Sequence, residues 1–211
     1  MAEEALSFQY ASAAQQRETV TLGMWTFLAT EVLFFGALVT AYFNYRIWLG
    51  ADFIAAARMT KIVLGTINTA VLLTSSASMA MAVSTHEAGL KRGPVLWLAA
   101  TALLGLTFIG IKAVEYWQEF QEHLVPGLDF DLARHGGVSE LFFLFYFCAT
   151  GLHALHLLIG ILLVGWLAFM IAAGRIDRRG SITRLIGLYW HFVDVVWIFL
   201  FPLIYLAGRA G

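Results

Sequence analysis

The chain has 211 residues, 60% of them hydrophobic and 13% charged, about half the charge density of an ordinary soluble domain, so the composition is that of a membrane protein. Thirteen basic against fourteen acidic residues leave no basic field that could hold nucleic acid. The single cysteine, Cys148, lies inside an apolar run, which excludes an intrachain disulfide and a cysteine metal cluster and leaves a small packing residue.

The start, residues 1–21, is polar and acidic, unlike the basic, then apolar opening of a secretory signal, and is expected to be a short soluble arm. Residues 22–208 read as one membrane domain of five helices. The first apolar run, residues 21–48, closes with Tyr42, Tyr45, Arg46 and Trp48, the aromatic and basic mixture of a membrane–water boundary. A polar connection, residues 49–61, leads to the second run, residues 62–83, whose many small and hydroxyl side chains (GTINTAVLLTSSASMAMA) predict close helix packing. The third run begins near residue 95 and continues past residue 114 as KAVEYWQEFQEHL. Glu115, Glu119 and Glu122, four and three apart, share a face of that extension, which is expected to project into water. After the long polar loop 125–138 comes a fourth run, residues 139–173, longer than a straight crossing needs and therefore tilted or protruding. An arginine-rich loop, residues 174–184, precedes the fifth run, residues 187–206.

Arg175, Arg178, Arg179 and Arg184 in that short loop, with Lys91 and Arg92 in the second, point both loops to the cytoplasm, and the acidic loop around Asp129 outward. Five spans then leave the N-terminus inside and the C-terminus outside, whereas Arg58 and Lys61 in the first loop run against the bias.

Ionisable side chains within the spans are the candidates for function, because an unpaired charge is costly in hydrocarbon. Glu31, about ten residues into the first span, reads either as a proton-accepting or lipid-associated site or as an acid hydrogen-bonded to a neighbouring helix. His153 and His156, at i and i+3, could present two imidazoles to one metal or haem, yet such a site needs further ligands and the only other imidazole expected to be buried is His191, with no Cys or Met motif beside it; buried histidines more often join helices by hydrogen bonds. Asp194 needs a partner, and His191, one turn back on the same face, is the nearest; the two read as a proton relay or as a polar clamp. Lys112 and Glu115 read as an interfacial pair on a solvated face, with a docking surface for a basic partner as the alternative.

The phrase YWHFVDVVWIFLFPLIYL, together with TEVLFFG, NTAVLLTSS, KAVEYWQEFQEH and TGLHALHLLIG in the same order along residues 22–207, closely resembles subunit III of the haem-copper terminal oxidases. The resemblance implies an all-α integral membrane protein with five transmembrane helices in a V-shaped two-plus-three bundle, the five-span form of many bacterial oxidases. It implies a non-catalytic subunit of a cytochrome c oxidase in the bacterial inner membrane, stabilising the catalytic subunit while oxygen reduction drives proton pumping. Expected partners are oxidase subunits I and II, membrane phospholipid held in the cleft near Glu31, and a c-type cytochrome or another respiratory complex. Haem and copper would sit in the partner subunits, no cofactor in this chain, and the histidines would be structural. Three other readings compete with it. One is a relative associated with a quinol oxidase or a nitric oxide reductase. Another is a proton-linked transporter, against which the chain lacks an inverted repeat and matched broken helices. The third is a haem-binding electron carrier.

Overall fold

The computed structural model describes residues 12–90, 92–128, 130–176 and 181–209. Most of the expected N-terminal arm, together with Lys91, Asp129, Arg178 and Arg179, lies outside the described residues. Among the described residues, five helices are long and apolar enough to cross a membrane. The protein is an all-α integral membrane protein, as expected.

Helix α1 (Ala13–Ala56) starts from Ser12, whose hydroxyl accepts the Gln15 amide at 3.2 Å as a helix cap. Its inward residues Leu28, Glu31, Phe35, Leu38 and Tyr42 recur at alternating steps of three and four, and most of the remaining surface is exposed. At Gly50 the backbone turns to φ 55°, ψ −127°, a conformation that glycine adopts at little cost, and the chain bends there. The connection expected as a polar loop therefore folds back as helix and, at Ala57–Met59, a 3-10 turn (η1), with Phe53, Ala56 and Ala57 fully buried. Phe53 sits edge-on to Tyr42 and Phe142, 5.3 and 5.4 Å between ring centres, which explains why this segment is covered rather than solvated.

Helix α2 (Ile62–Glu87) and helix α3 (Gly93–Gln121) form the most extensive pairing in the bundle. Their buried positions, Gly65, Asn68, Leu72, Ser75, Met79, Ala82 and His86 against Pro94, Leu98, Thr101, Gly105, Phe108, Lys112, Glu115 and Glu119, keep the same three-four alternation. A seven-residue apolar or small repeat of this kind interdigitates helices at shallow crossing angles. Ser78 and Thr101 hydroxyls meet across the seam at 2.8 Å. A one-turn helix α4 (Leu132–His135) precedes α5 (Gly137–Ala172), which carries the same repeat from Ser139 to Leu167. Helix α6 (Ile182–Phe201) passes into a π-helical segment, Pro202–Leu206. Pro202 lacks the amide that would extend the α ladder, so the backbone bonds there widen.

The bundle's interior is built on Trp190 and Trp197 of α6, both fully buried. A Cβ on Gly105 would lie 2.9 Å from the Trp190 ring and one on Gly160 only 3.2 Å from it, so that indole is held between two glycines of α3 and α5. The five helices are not grouped two plus three. Helix α1 lies on α5 and α6, and α2 on α3 and α6, so the first two helices do not make a separate arm. The reason is local: α1 offers one acid and an aromatic stripe that match α5, whereas the small-residue stripe of α2 fits α3.

Candidate functional site

The intramembrane ionisable groups gather in separate places. Between α1 and α5, His156 Nε2 lies 3.0 Å from Glu31 Oε2, both side chains being only 15% and 17% exposed. The other ring nitrogen, Nδ1, is 2.9 Å from the Leu152 carbonyl, which can only accept, so Nδ1 carries a hydrogen. The Nε2–Oε2 contact then ties α1 to α5 by a hydrogen bond between the imidazole and the carboxyl group. Phe35 packs edge-on to the imidazole at 5.4 Å, and Tyr189 of α6 donates its hydroxyl to the His156 carbonyl at 3.0 Å.

One turn away, His153 faces another direction. It is fully buried, 5.5 Å from the Phe108 ring centre and 5.0 Å from that of Trp197, and neither ring nitrogen has a hydrogen-bond partner. His153 and His156 therefore do not converge on one point. Among the described residues no three His, Cys, Asp or Glu side chains come together as a metal-ligand set.

The expected pairing of Asp194 with His191 is corrected. His191 Nδ1 reaches across to Ser76 Oγ of α2 at 2.7 Å, and the buried Asp194 carboxylate lies near the same serine without hydrogen-bond geometry. The imidazole joins α6 to α2, because a hydroxyl across the helix contact is closer to its line than a carboxylate on its own helix. Trp197 Nε1 repeats the link to Thr69 at 3.0 Å.

The expectation for Lys112, Glu115 and the acidic stripe is also corrected. Lys112 and Glu115 do pair, but Lys112 is 3% exposed and Glu115 and Glu119 are fully buried, so this face of α3 is covered by other helices and not solvated. Lys112 Nζ donates to Glu115 Oε2 at 3.0 Å, Tyr146 OH at 2.9 Å and Tyr205 OH at 3.0 Å, which uses all three of its hydrogens. Tyr205 in turn donates to Glu115 Oε1 at 2.7 Å. The ammonium also lies 4.7 Å from the Tyr146 ring centre and 4.8 Å from that of Tyr116, and Tyr116 bonds Thr150 at 2.6 Å. Only Glu122 reaches the surface, where it pairs with Lys61. Next to this cluster Arg209 donates to the carbonyls of Tyr205, Arg58 and Thr60 at 2.6, 2.9 and 2.8 Å, and Arg58 Nε answers to the Gly208 carbonyl at 2.7 Å.

The sequence reading missed Tyr146 and Tyr205 and put Glu119 on a solvated face, although a signal existed. Carrying the three-four repeat of Leu98, Thr101, Gly105 and Phe108 forward puts Lys112, Glu115 and Glu119 on the inner seam.

In the comparison against known families, the description "Cytochrome c oxidase subunit III" matches residues 1–209. The chain belongs to that subunit III family. A quinol oxidase subunit 3 of Bacillus spizizenii is 31% identical over 191 residues, covering 90% of this chain and 88% of the relative. A cytochrome c oxidase subunit 3 of Corynebacterium diphtheriae is 30% identical over 207 residues, covering 93% and 92%. A haem-copper oxidase subunit I+III of Aeropyrum pernix is 31% identical over 199 residues, which are 90% of this chain but 23% of that longer protein. The chain is thus a subunit III of the haem-copper oxidases, a family whose members work in a complex with other oxidase subunits.

Proposed function

We propose that this subunit III serves a cytochrome c oxidase of the bacterial inner membrane as a non-catalytic scaffold, binding subunits I and II and holding phospholipid against the α1 side of the bundle. The observation that carries this reading is the dispersal of the intramembrane imidazoles. His153 is enclosed by Phe108 and Trp197, His156 engages Glu31 and His191 engages Ser76, so each joins helices and no pair of them is arranged to share a haem or a copper ion. Haem and copper then belong to the partner subunits, and this chain's part in oxygen reduction is to keep that centre working. The exposed apolar surface of α1, including Trp25, Leu33, Ile47 and Trp48, suits acyl chains or the face of another subunit. In this reading the arginine-rich end lies in the cytoplasm and the C-terminus outside.

The test is purification of the complex in mild detergent with identification of every co-purifying chain. The expected result is subunits I and II with a copper-centre subunit that accepts electrons from a c-type cytochrome. A Soret band in the isolated subunit would overturn the scaffold reading. The quinol oxidase reading is supported by the relative of that name in Bacillus spizizenii, and co-purification with a quinol-oxidising complex lacking the copper centre would favour it.

A further inference from the structure

Toward the Lys61–Glu122 end of the bundle, the charges of the Lys112 cluster do not cancel. Lys112 and Glu115 form a compact ion pair whose hydrogen-bonding capacity is met by Tyr146 and Tyr205. Glu119, one turn further along α3 and fully buried, is left over: it lies near the Tyr146 hydroxyl, but neither of its carboxylate oxygens makes a contact of hydrogen-bond geometry. Two acids and one lysine would leave a net negative charge in a site closed by Tyr116 of α3, Tyr146 of α5 and Tyr205 of the π segment. An uncompensated charge is strongly disfavoured in a buried site. The other cation that acts on Glu119 is Lys61, in the connection before α2, and it is already engaged with Glu122 at the surface.

We propose that Glu119 is a proton-binding site: it carries an exchangeable proton as a carboxylic acid, taken from water at the Lys61–Glu122 end of the bundle and returned there. The reaction is carboxylate plus one hydronium giving acid plus water, with no electron transfer. Its position explains the pattern of the cluster. The ion pair beside it fixes a neutral, hydrogen-bonded wall, while Glu122, a surface acid one turn away on the same face, gives the proton a short way to solvent. The site requires nothing of the electron donor and stands whether the complex oxidises cytochrome c or quinol.

The experiment is infrared difference spectroscopy on the purified oxidase complex with subunit III bound, comparing wild type with Glu119→Gln, in H2O and in D2O. The expected result is a carboxylic acid C=O band in the wild type that shifts down in D2O and is lost in the variant. Because the amide is neutral like the acid, Glu119→Gln should also keep subunit III in the complex, and Glu119→Asp should restore a shifted acid band. The proposal is overturned if the variant spectrum keeps the band, if the band does not move in D2O, or if Glu119→Gln sheds subunit III while Glu119→Asp retains it. The last result would mean an ionised acid held for structure. Stoichiometric metal in the wild-type complex that disappears in the variant would overturn it as well.

Discussion

Trp190 between Gly105 and Gly160 gives the sharpest test of how the bundle is packed. Gly105→Ala puts a methyl carbon 2.9 Å from the Trp190 ring and 3.0 Å from Ile161, at or inside the limit that real Cβ atoms keep, and on the other side the indole already lies so close to Gly160 that a Cβ there would stand 3.2 Å from it. Overpacking of this kind costs about 1–3 kcal/mol, against which the better helix propensity of alanine returns about 1 kcal/mol at most, so a net loss of roughly 1–2 kcal/mol is expected. Gly165→Ala on α5 is the internal control: a Cβ there meets nothing within 4 Å, and the same propensity gain should leave stability unchanged or slightly raised. Trp190→Phe should relieve the clash. In a double-mutant cycle with Gly105→Ala the coupling should exceed about 0.5 kcal/mol, with the double variant less damaged than the sum of the singles. The assay is thermal unfolding of the detergent-solubilised complex, followed by release of subunit III. A Gly105→Ala variant as stable as Gly165→Ala, or strictly additive effects with Trp190→Phe, would refute the glycine-lined slot.

Arg209→Ala removes charge-assisted bonds to three carbonyls, so the C-terminal segment should fray, measured as faster digestion by carboxypeptidase with the five spans intact. Lys112→Met should cost about 3–5 kcal/mol by stranding Glu115, while Lys112→Met with Glu115→Leu should recover much of the loss in the same unfolding assay; equal damage from single and double changes would argue against a buried ion pair. Glu31→Ala should leave subunit III in the complex but shorten sustained turnover, read as the decay of oxygen consumption over many cycles, and His156→Gln should decay similarly if the pair acts as a unit.

The five crossings were legible because hydrophobic length alone defines them, and the expected runs at residues 62–83 and 139–173 fall within a few residues of α2 and α5. Polar side chains were legible as needing partners but not as to which. Asp194 and His191 share a helix face, and nothing local announces that Ser76, more than a hundred residues earlier, lies closer to the imidazole. The acidic stripe misled for a related reason. Glu115 and Glu119 look solvated by composition, and the tyrosines that cover them arrive on α5 and on the π segment, where Pro202 changes the winding. The bend at Gly50 left a lone glycine as its trace, too common a residue to mark a fold-back by itself.

The narrow contact of α1 has a consequence for assembly. Its line of inward residues packs on α5, α6 and, through Tyr42, the Leu203 carbonyl of the π segment, whereas the other four helices enclose the two tryptophans among themselves. Undocking the first span would leave that tryptophan-centred block whole, so insertion can finish the block before α1 swings in and closes. A nascent chain halted after its first crossing would have nothing to lean on, and the opening helix must wait in the bilayer until the fourth one emerges.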